Sequence, residues 1–176
     1  VQYNNGQPFQ STEKGPMKMR KKDRQVKEFQ DIVKIMETCD VCRLALHDEE
    51  YPYILPLNFG MRVEKETVIL YFHGATEGKK YALIAHNNKA AFEMDCAHRL
   101  VTMEETGCCT MEYESVIGQG TVELLSEEEK MDALQVLMKH YHKEEFKFSP
   151  AAVPHTTVYK LTVVSMTGKR RMVAEQ

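Results

Sequence analysis

A chain of 176 residues with 43% hydrophobic and 28% charged side chains has the make-up of a soluble globular protein, and its length fits one domain. A net charge of -3 argues against general nucleic-acid binding, and no apolar run approaches the ~18 residues that a bilayer span needs. Five cysteines, an odd number, and the absence of an apolar leader lead to the expectation of a reducing cytoplasm, not a disulfide framework.

Residues 1–18 are polar and rich in turn formers and read as a tail, with residues 19–176 as the folded domain. The basic stretch MKMRKKDR, residues 17–24, reads as a solvated arm in an acidic chain. From Arg24 the apolar positions Val26, Phe29, Ile32, Val33 and Met36 recur three and four apart, which predicts a helix ending at Cys39 and Asp40. Residues 41–63 predict two strands around a polar turn at 47–50. Pro56 places the second run at a sheet edge or bulge, or else turns its backbone toward a ligand. ETVILYFHG predicts a third strand, KKYALIAHNN a short helix and AAFEMDC a fourth strand. CCTMEYESVIGQGTVELL is long enough for one bent strand or two, with Gly118 and Gly120 at the bend. A helix follows: Ser126 and Glu129 have capping-box spacing, and Leu134, Leu137, Met138 and Tyr141 share a face. TTVYKLTVVSMTGKRR supplies a last strand. Strands joined by short turns favour antiparallel pairing, so the expected fold is mainly β: a barrel with helices packed on it, not a doubly wound sheet.

The stretch YFHGATEGKK carries an electrostatic oddity. It places Lys79 and Lys80 in the first turn of a helix, where the backbone dipole is positive. Strand alternation points Ile69, Tyr71 and His73 to one side. Gly74 lets the backbone approach a ligand, Thr76 is the expected N-cap, and Gly78 keeps the first turn uncrowded. The free N–H groups of that turn, with both lysines and His73, form a candidate phosphate site. The plainer reading, two lysines extending into water, carries a dipole penalty of only ~0.3–1 kcal/mol. The strand-His-Gly pattern favours phosphate, though the Walker spacing of a P-loop is absent.

CDVCRLAL, YPYILPLNFG, LYFHGATEGKK, AAFEMD and YESVIGQGTVELL, in that order, resemble the pyridoxamine 5'-phosphate oxidase-like FMN-binding split barrels, and among them most the nitroimidazole-resistance group. The resemblance covers residues 19–171. It implies a six-stranded antiparallel split β-barrel that forms a homodimer, with FMN (FAD as the alternative) in grooves between subunits. It also implies a small-molecule substrate and no nucleic-acid or membrane partner. By the same resemblance, Leu55, Pro56, Leu57 and Asn58 run along the isoalloxazine ring. Tyr71, Phe72, His73, Gly74 and Ala75 line the ribityl-phosphate side, Lys79 and Lys80 hold the phosphate, and Ser115 approaches the flavin from the other subunit. The TGKRR segment is a looser match to a basic position near the cofactor. The expected activity is electron transfer from a reduced nicotinamide to a small acceptor such as a nitroaromatic or quinone, with His73 as the catalytic proton donor. A flavin- or haem-binding module without turnover is the alternative. The chain has no tryptophan and lacks the arginine-rich substrate signature at its end, which argues against vitamin B6 oxidation.

Other candidates read more simply as structure. Cys39-x-x-Cys42 has no second pair to complete a zinc site, and the adjacent Cys108 and Cys109 are poorly spaced for one tetrahedral metal. The cysteines are expected to behave as small apolar residues. His98, His140, Tyr141 and His142 are expected at the surface, and Met131 and Met138 in a core stripe.

Overall fold

The structure is a computed structural model that describes residues 21–142 and 146–173. The expected tail, residues 1–18, lies outside the described residues. Among them, in chain order, are β1 (Gln25–Val26), α1 (Phe29–Thr38), β2 (Cys42–Leu46), β3 (Tyr53–Leu57), β4 (Gly60–Glu64), β5 (Thr67–Ala75), α2 (Lys79–His86), β6 (Lys89–Met103), β7 (Cys108–Leu124), α3 (Glu127–Tyr141) and β8 (Thr156–Arg171).

The first helix starts later than the periodicity predicts. Gln25 and Val26 pair instead with Lys169 and Gly168 of β8. Gly168 permits this: a Cβ there would come within 3.1 Å of the Val26 Cβ and 2.9 Å of Ile32. The predicted second strand of the hairpin is divided into β3 and β4 at Asn58 and Phe59. Phe59 is fully buried, and its N–H donates to the Tyr141 hydroxyl at 2.9 Å instead of to a ladder. β6 runs well past the predicted AAFEMDC, pairing with β7 from Lys89–Thr121 to Met103–Cys108 with an irregularity between Cys96 and Arg99. Its outer half is largely exposed and lacks the alternation that marks a half-buried strand. β7 is one strand, and its register with β8 shifts between Gln119 and Gly120, where the glycines mark a bend.

All pairings are antiparallel, in the order β3-β2-β6-β7-β8-β5-β4, with β1 attached to β8. The path has seven strands where six were expected, because one predicted run became β3 and β4. Its two ends, β3 and β4, do not pair with each other, so the barrel is split. Leu44, Leu70, Phe92, Met94 and Leu161 fill the interior with α1 residues Ile35 and Met36 against them. Phe72 stacks on Tyr159 with centroids 5.4 Å apart, both fully buried. Each such side chain contributes ~1.5–3 kcal/mol on burial.

A second, smaller core joins α3 to the outside of the sheet: Ala133, Leu134 and Val136 meet Tyr71 and Val158. The capping box forms, with the Ser126 N–H donating to Glu129 Oε2 at 3.1 Å. Met131, expected in the core stripe, is 43% exposed, because the helix turns Ala133, Leu134, Val136 and Leu137 inward. Cys39 and Cys42 are buried as small apolar residues, and burial pushes both thiols far above their usual range. Cys108 and Cys109 differ, lying exposed at the far end of the β6–β7 hairpin.

Candidate functional site

β3 is an edge strand, so Pro56 breaks no ladder on its open side. β4 pairs with β5 only as far as Tyr71, while β8 continues along β5 to Ala75. The segment from Phe72 to Ala75 therefore has a strand on one edge alone. These two unpaired edges, β3 and the end of β5, flank the split, and the first turn of α2 contacts both.

Gly78, not the expected Thr76, is the N-cap of α2, and no side chain caps it. Gly78 has φ 145°, a value that side-chain-bearing residues rarely adopt. From this start the two lysines diverge. Lys79 Nζ lies 2.5 Å from Asp48 Oδ2 in the β2–β3 turn and 5.4 Å from the ring centroid of Tyr53 on β3. The Asp48 carboxyl is held below its ordinary range by hydrogen bonding with Lys79, and the Lys79 ammonium is raised in return. Lys80 turns the other way. Its ammonium lies over Gly74, where an added Cβ would come within 2.9 Å of Nζ and 3.1 Å of the Tyr81 hydroxyl. It also sits 4.5 Å from the Tyr81 ring centroid, and Tyr81 is fixed by donating its hydroxyl to the Ala75 carbonyl at 2.6 Å. Among the described residues no carboxylate pairs with Lys80.

His73 stands on the opposite side of β5 from Gly74. Together with Leu134, Leu137, Met138, Phe148, Val153 and Thr156 it lines an apolar cavity of about 190 Å³ beneath α3. Desolvation, then the nearby Lys80 charge, hold its imidazole below the ordinary value, so the ring is neutral at pH 7. A neutral imidazole offers one N–H donor and one acceptor nitrogen.

The expected site residues are distributed unevenly. Gly74, Ala75 and Lys80 meet at the end of β5, with His73 on the opposite face of the strand toward α3. The side chains of Tyr71 and Phe72 are taken up by packing: Tyr71 lies under α3 with the Arg62 guanidinium 5.7 Å from its ring, and Phe72 is in the barrel core. Leu55 and Leu57 pack against the barrel core, while Pro56 and Asn58 are exposed. Ser115 is opposite Asp95 on β6 and Lys169 on β8. Lys169 is 11 residues (169 − 158) along β8 from Val158, the partner of His73. At ~3.3 Å per residue that is a path of about 36 Å, so Ser115 and His73 of one chain belong to opposite ends of β8. Of the C-terminal basic run, Arg170 is engaged far from this corner, with Glu114. A cavity of about 420 Å³ lies elsewhere again, lined by His47, Lys89, Gln119, Thr121 and Val164.

Three residues of the corner carried no individual signal in the sequence. Asp48 and Tyr53 reach Lys79 only because the β2–β3 turn folds beside α2, and Tyr81 reads as an ordinary apolar helix position.

An open-seamed antiparallel barrel with a basic helix start at its seam defines the split-barrel class. The profile of the family described as pyridoxamine 5'-phosphate oxidase matches residues 28–170, and the chain belongs to that family. A candidate 5-nitroimidazole antibiotic resistance protein from Bacteroides thetaiotaomicron is 36% identical, with 82% of this chain and 85% of that one covered and a TM-score of 0.70. The FAD and haem binding protein of Mycobacterium smegmatis is similar in fold, at 19% identity, coverage of 87% and 76% and a TM-score of 0.72. A flavocytochrome of Azotobacter vinelandii matches at 16% identity, coverage of 90% and 75% and a TM-score of 0.70. No curated protein sequence matches the chain.

Proposed function

We propose that the protein is a flavin-dependent oxidoreductase that uses FMN and passes electrons from a reduced nicotinamide to a small acceptor such as a nitroaromatic. The observation that carries this reading is the Lys80 ammonium, without a carboxylate partner among the described residues, over the bare face of Gly74 at the start of α2. That corner fits a phosphate: a Cβ on Gly74 would meet the ammonium, and the first-turn N–H groups lack side-chain caps. When bound, the flavin supplies the redox chemistry between donor and acceptor. Lys80 binds the phosphate by charge-assisted hydrogen bonds. Gly74 and Ala75 give it close access to the backbone, while His73, on the other face of β5, senses the Lys80 charge without lining that face. The open edge of β3, from Leu55 to Asn58, orients the planar ring through its unpaired backbone groups. A neutral His73 becomes a better proton acceptor once a phosphate offsets the Lys80 charge, which suits it to deliver a proton near neutral pH. The relative at 36% identity supports the nitroaromatic acceptor.

The working unit is proposed to be a cytoplasmic homodimer. Ser115, on β7 opposite the far end of β8, is too distant to join the His73 corner of its own chain, and a second subunit would bring another copy to it. The outward positions Ile54, Ile117 and Val164 are 61%, 44% and 71% exposed, apolar surface that a partner subunit would cover. A sedimentation coefficient of a monomer that still binds FMN tightly would overturn the dimer.

The test of function is the absorbance spectrum of the purified protein, followed by anaerobic addition of NADH or NADPH and then a nitroaromatic. Flavin bands that bleach with the nicotinamide and return with the acceptor are expected. Flavin bands that do not bleach, or a Soret band in their place, would replace the enzyme with a flavin- or haem-binding module.

A further inference from the structure

The sequence presents Lys79 and Lys80 as an equivalent pair, yet the chain directs them to opposite sides of the split. Adjacent helical residues point about 100° apart. Lys79 meets Asp48 and the ring of Tyr53, both on the β3 side, while Lys80 meets Gly74 and Tyr81 on the β5 side. We propose that the two divide the work: Lys80 is the residue that holds the anion, and Lys79 is a positioning residue that locks edge strand β3 to the start of α2 through Asp48 and Tyr53. This assignment rests on the flavin reading of the site.

The charges support the division. Moving Lys79 onto an anion over Gly74 would break its contact with Asp48 and leave a bare carboxylate near a second negative charge. Holding Lys79 where it is costs nothing of this kind and fixes a strand that has a neighbour on one side only. Tyr53 opens that strand, Leu55, Pro56 and Leu57 lie further along it, and Asn58 comes just after its end. The clamp therefore sets the position of the edge proposed to orient the ring, without touching the ligand.

Binding of FMN and of riboflavin, which lacks the phosphate, separates the two roles. Flavin fluorescence should be titrated against the full chain, K80A, K79A, D48N and the D48N/K79A double variant. K80A should weaken FMN by about tenfold to a hundredfold while leaving riboflavin nearly unchanged. K79A and D48N should weaken FMN and riboflavin by the same factor, and the double variant should be no worse than either single one. FMN weakened by K79A with riboflavin unaffected would make Lys79 a phosphate ligand and overturn the proposal. Hydrogen exchange of the flavin-free protein judges the clamp independently of the flavin reading. K79A and D48N should speed exchange at the β2–β3 turn and in β3, whereas K80A should not. A wild-type chain that binds neither flavin would overturn the flavin reading and the role of Lys80. Exchange in β3 that is indifferent to K79A would overturn the clamp.

Discussion

The end of α3 and the start of α2 are built from similar polar side chains, and they use them in opposite ways. At the end of α3, His140 Nε2 donates to the Cys39 carbonyl at 2.7 Å, and its ring lies 4.3 Å from that of Phe59. Tyr141 donates its hydroxyl to the Asp40 carbonyl at 2.8 Å and accepts from the Phe59 N–H. These residues, expected at the surface, tie α3 to the breaks after α1 and between β3 and β4. Their polar groups are consumed by the fold. At the start of α2, by contrast, Lys80 has no carboxylate partner among the described residues, Gly78 offers no capping side chain and His73 is kept neutral by partial desolvation and by a like charge. A fold that leaves charge uncompensated at one helix end while satisfying every group named at the other leaves the first open to the anion proposed for it.

Substitutions should therefore fall into two groups, with stability affected at α3 and binding at α2. The largest loss is expected from Gly60→Ala. A Cβ at Gly60 would meet the Leu137 backbone at 2.4 Å, so α3 must move off β4. Denaturant unfolding should show a loss on the order of 3 kcal/mol. Tyr141→Phe comes next, because it strands the buried Phe59 N–H and frees the Asp40 carbonyl. A loss of about 2 kcal/mol is expected, with any effect on FMN affinity small by comparison. If Y141F weakened FMN as strongly as it weakened the fold, the two ends would not be separate.

At the other end the sign reverses. Lys80→Ala should raise stability by ~0.3–1 kcal/mol, since it relieves a cation from the positive end of a helix. Thermal unfolding at low salt checks this, and a clear destabilisation would make Lys80 a structural residue. The smallest effect is a pH dependence at His73. Its folded pKa lies below the unfolded value of 6.5, so the unfolded chain binds more protons in the interval between them. The stability linked to this group is complete above pH 6.5 and declines as pH falls toward the folded value. His73→Gln should flatten that slope, and Lys80→Ala should shrink it by removing the second cause of the shift. Histidine NMR titration reads the pKa directly, and FMN binding should move it upward as the phosphate offsets Lys80.

Much of the architecture was written in local pattern. The alternation in ETVILYFHG, the capping pair Ser126 and Glu129, and the double glycine of β7 each report a short-range preference, and each predicted its element. Elements governed by distant partners were not readable in that way. Val26 follows a helical spacing yet lies in β1, because β8 offers it a ladder and a glycine to rest on. The outer half of β6 lacks strand alternation because it borrows its order from β7 and buries little.

The same boundary runs through the site. The residues of the candidate site stood out in the sequence: strand, His73, Gly74, a glycine before a helix, and two lysines where the dipole disfavours them. Residue type and spacing along one segment were enough, since helix dipole, glycine freedom and imidazole titration are local properties. What the sequence could not distinguish was one lysine from the other. Lys79 and Lys80 differ only in direction, and direction acquires meaning from what stands there. Asp48 lies 31 positions (79 − 48) before Lys79 and meets it only when the β2–β3 turn folds beside α2. The tertiary structure decided that one charge meets Asp48 and Tyr53 and the other faces Gly74, because electrostatic partners are set by distance in space and not by distance along the chain.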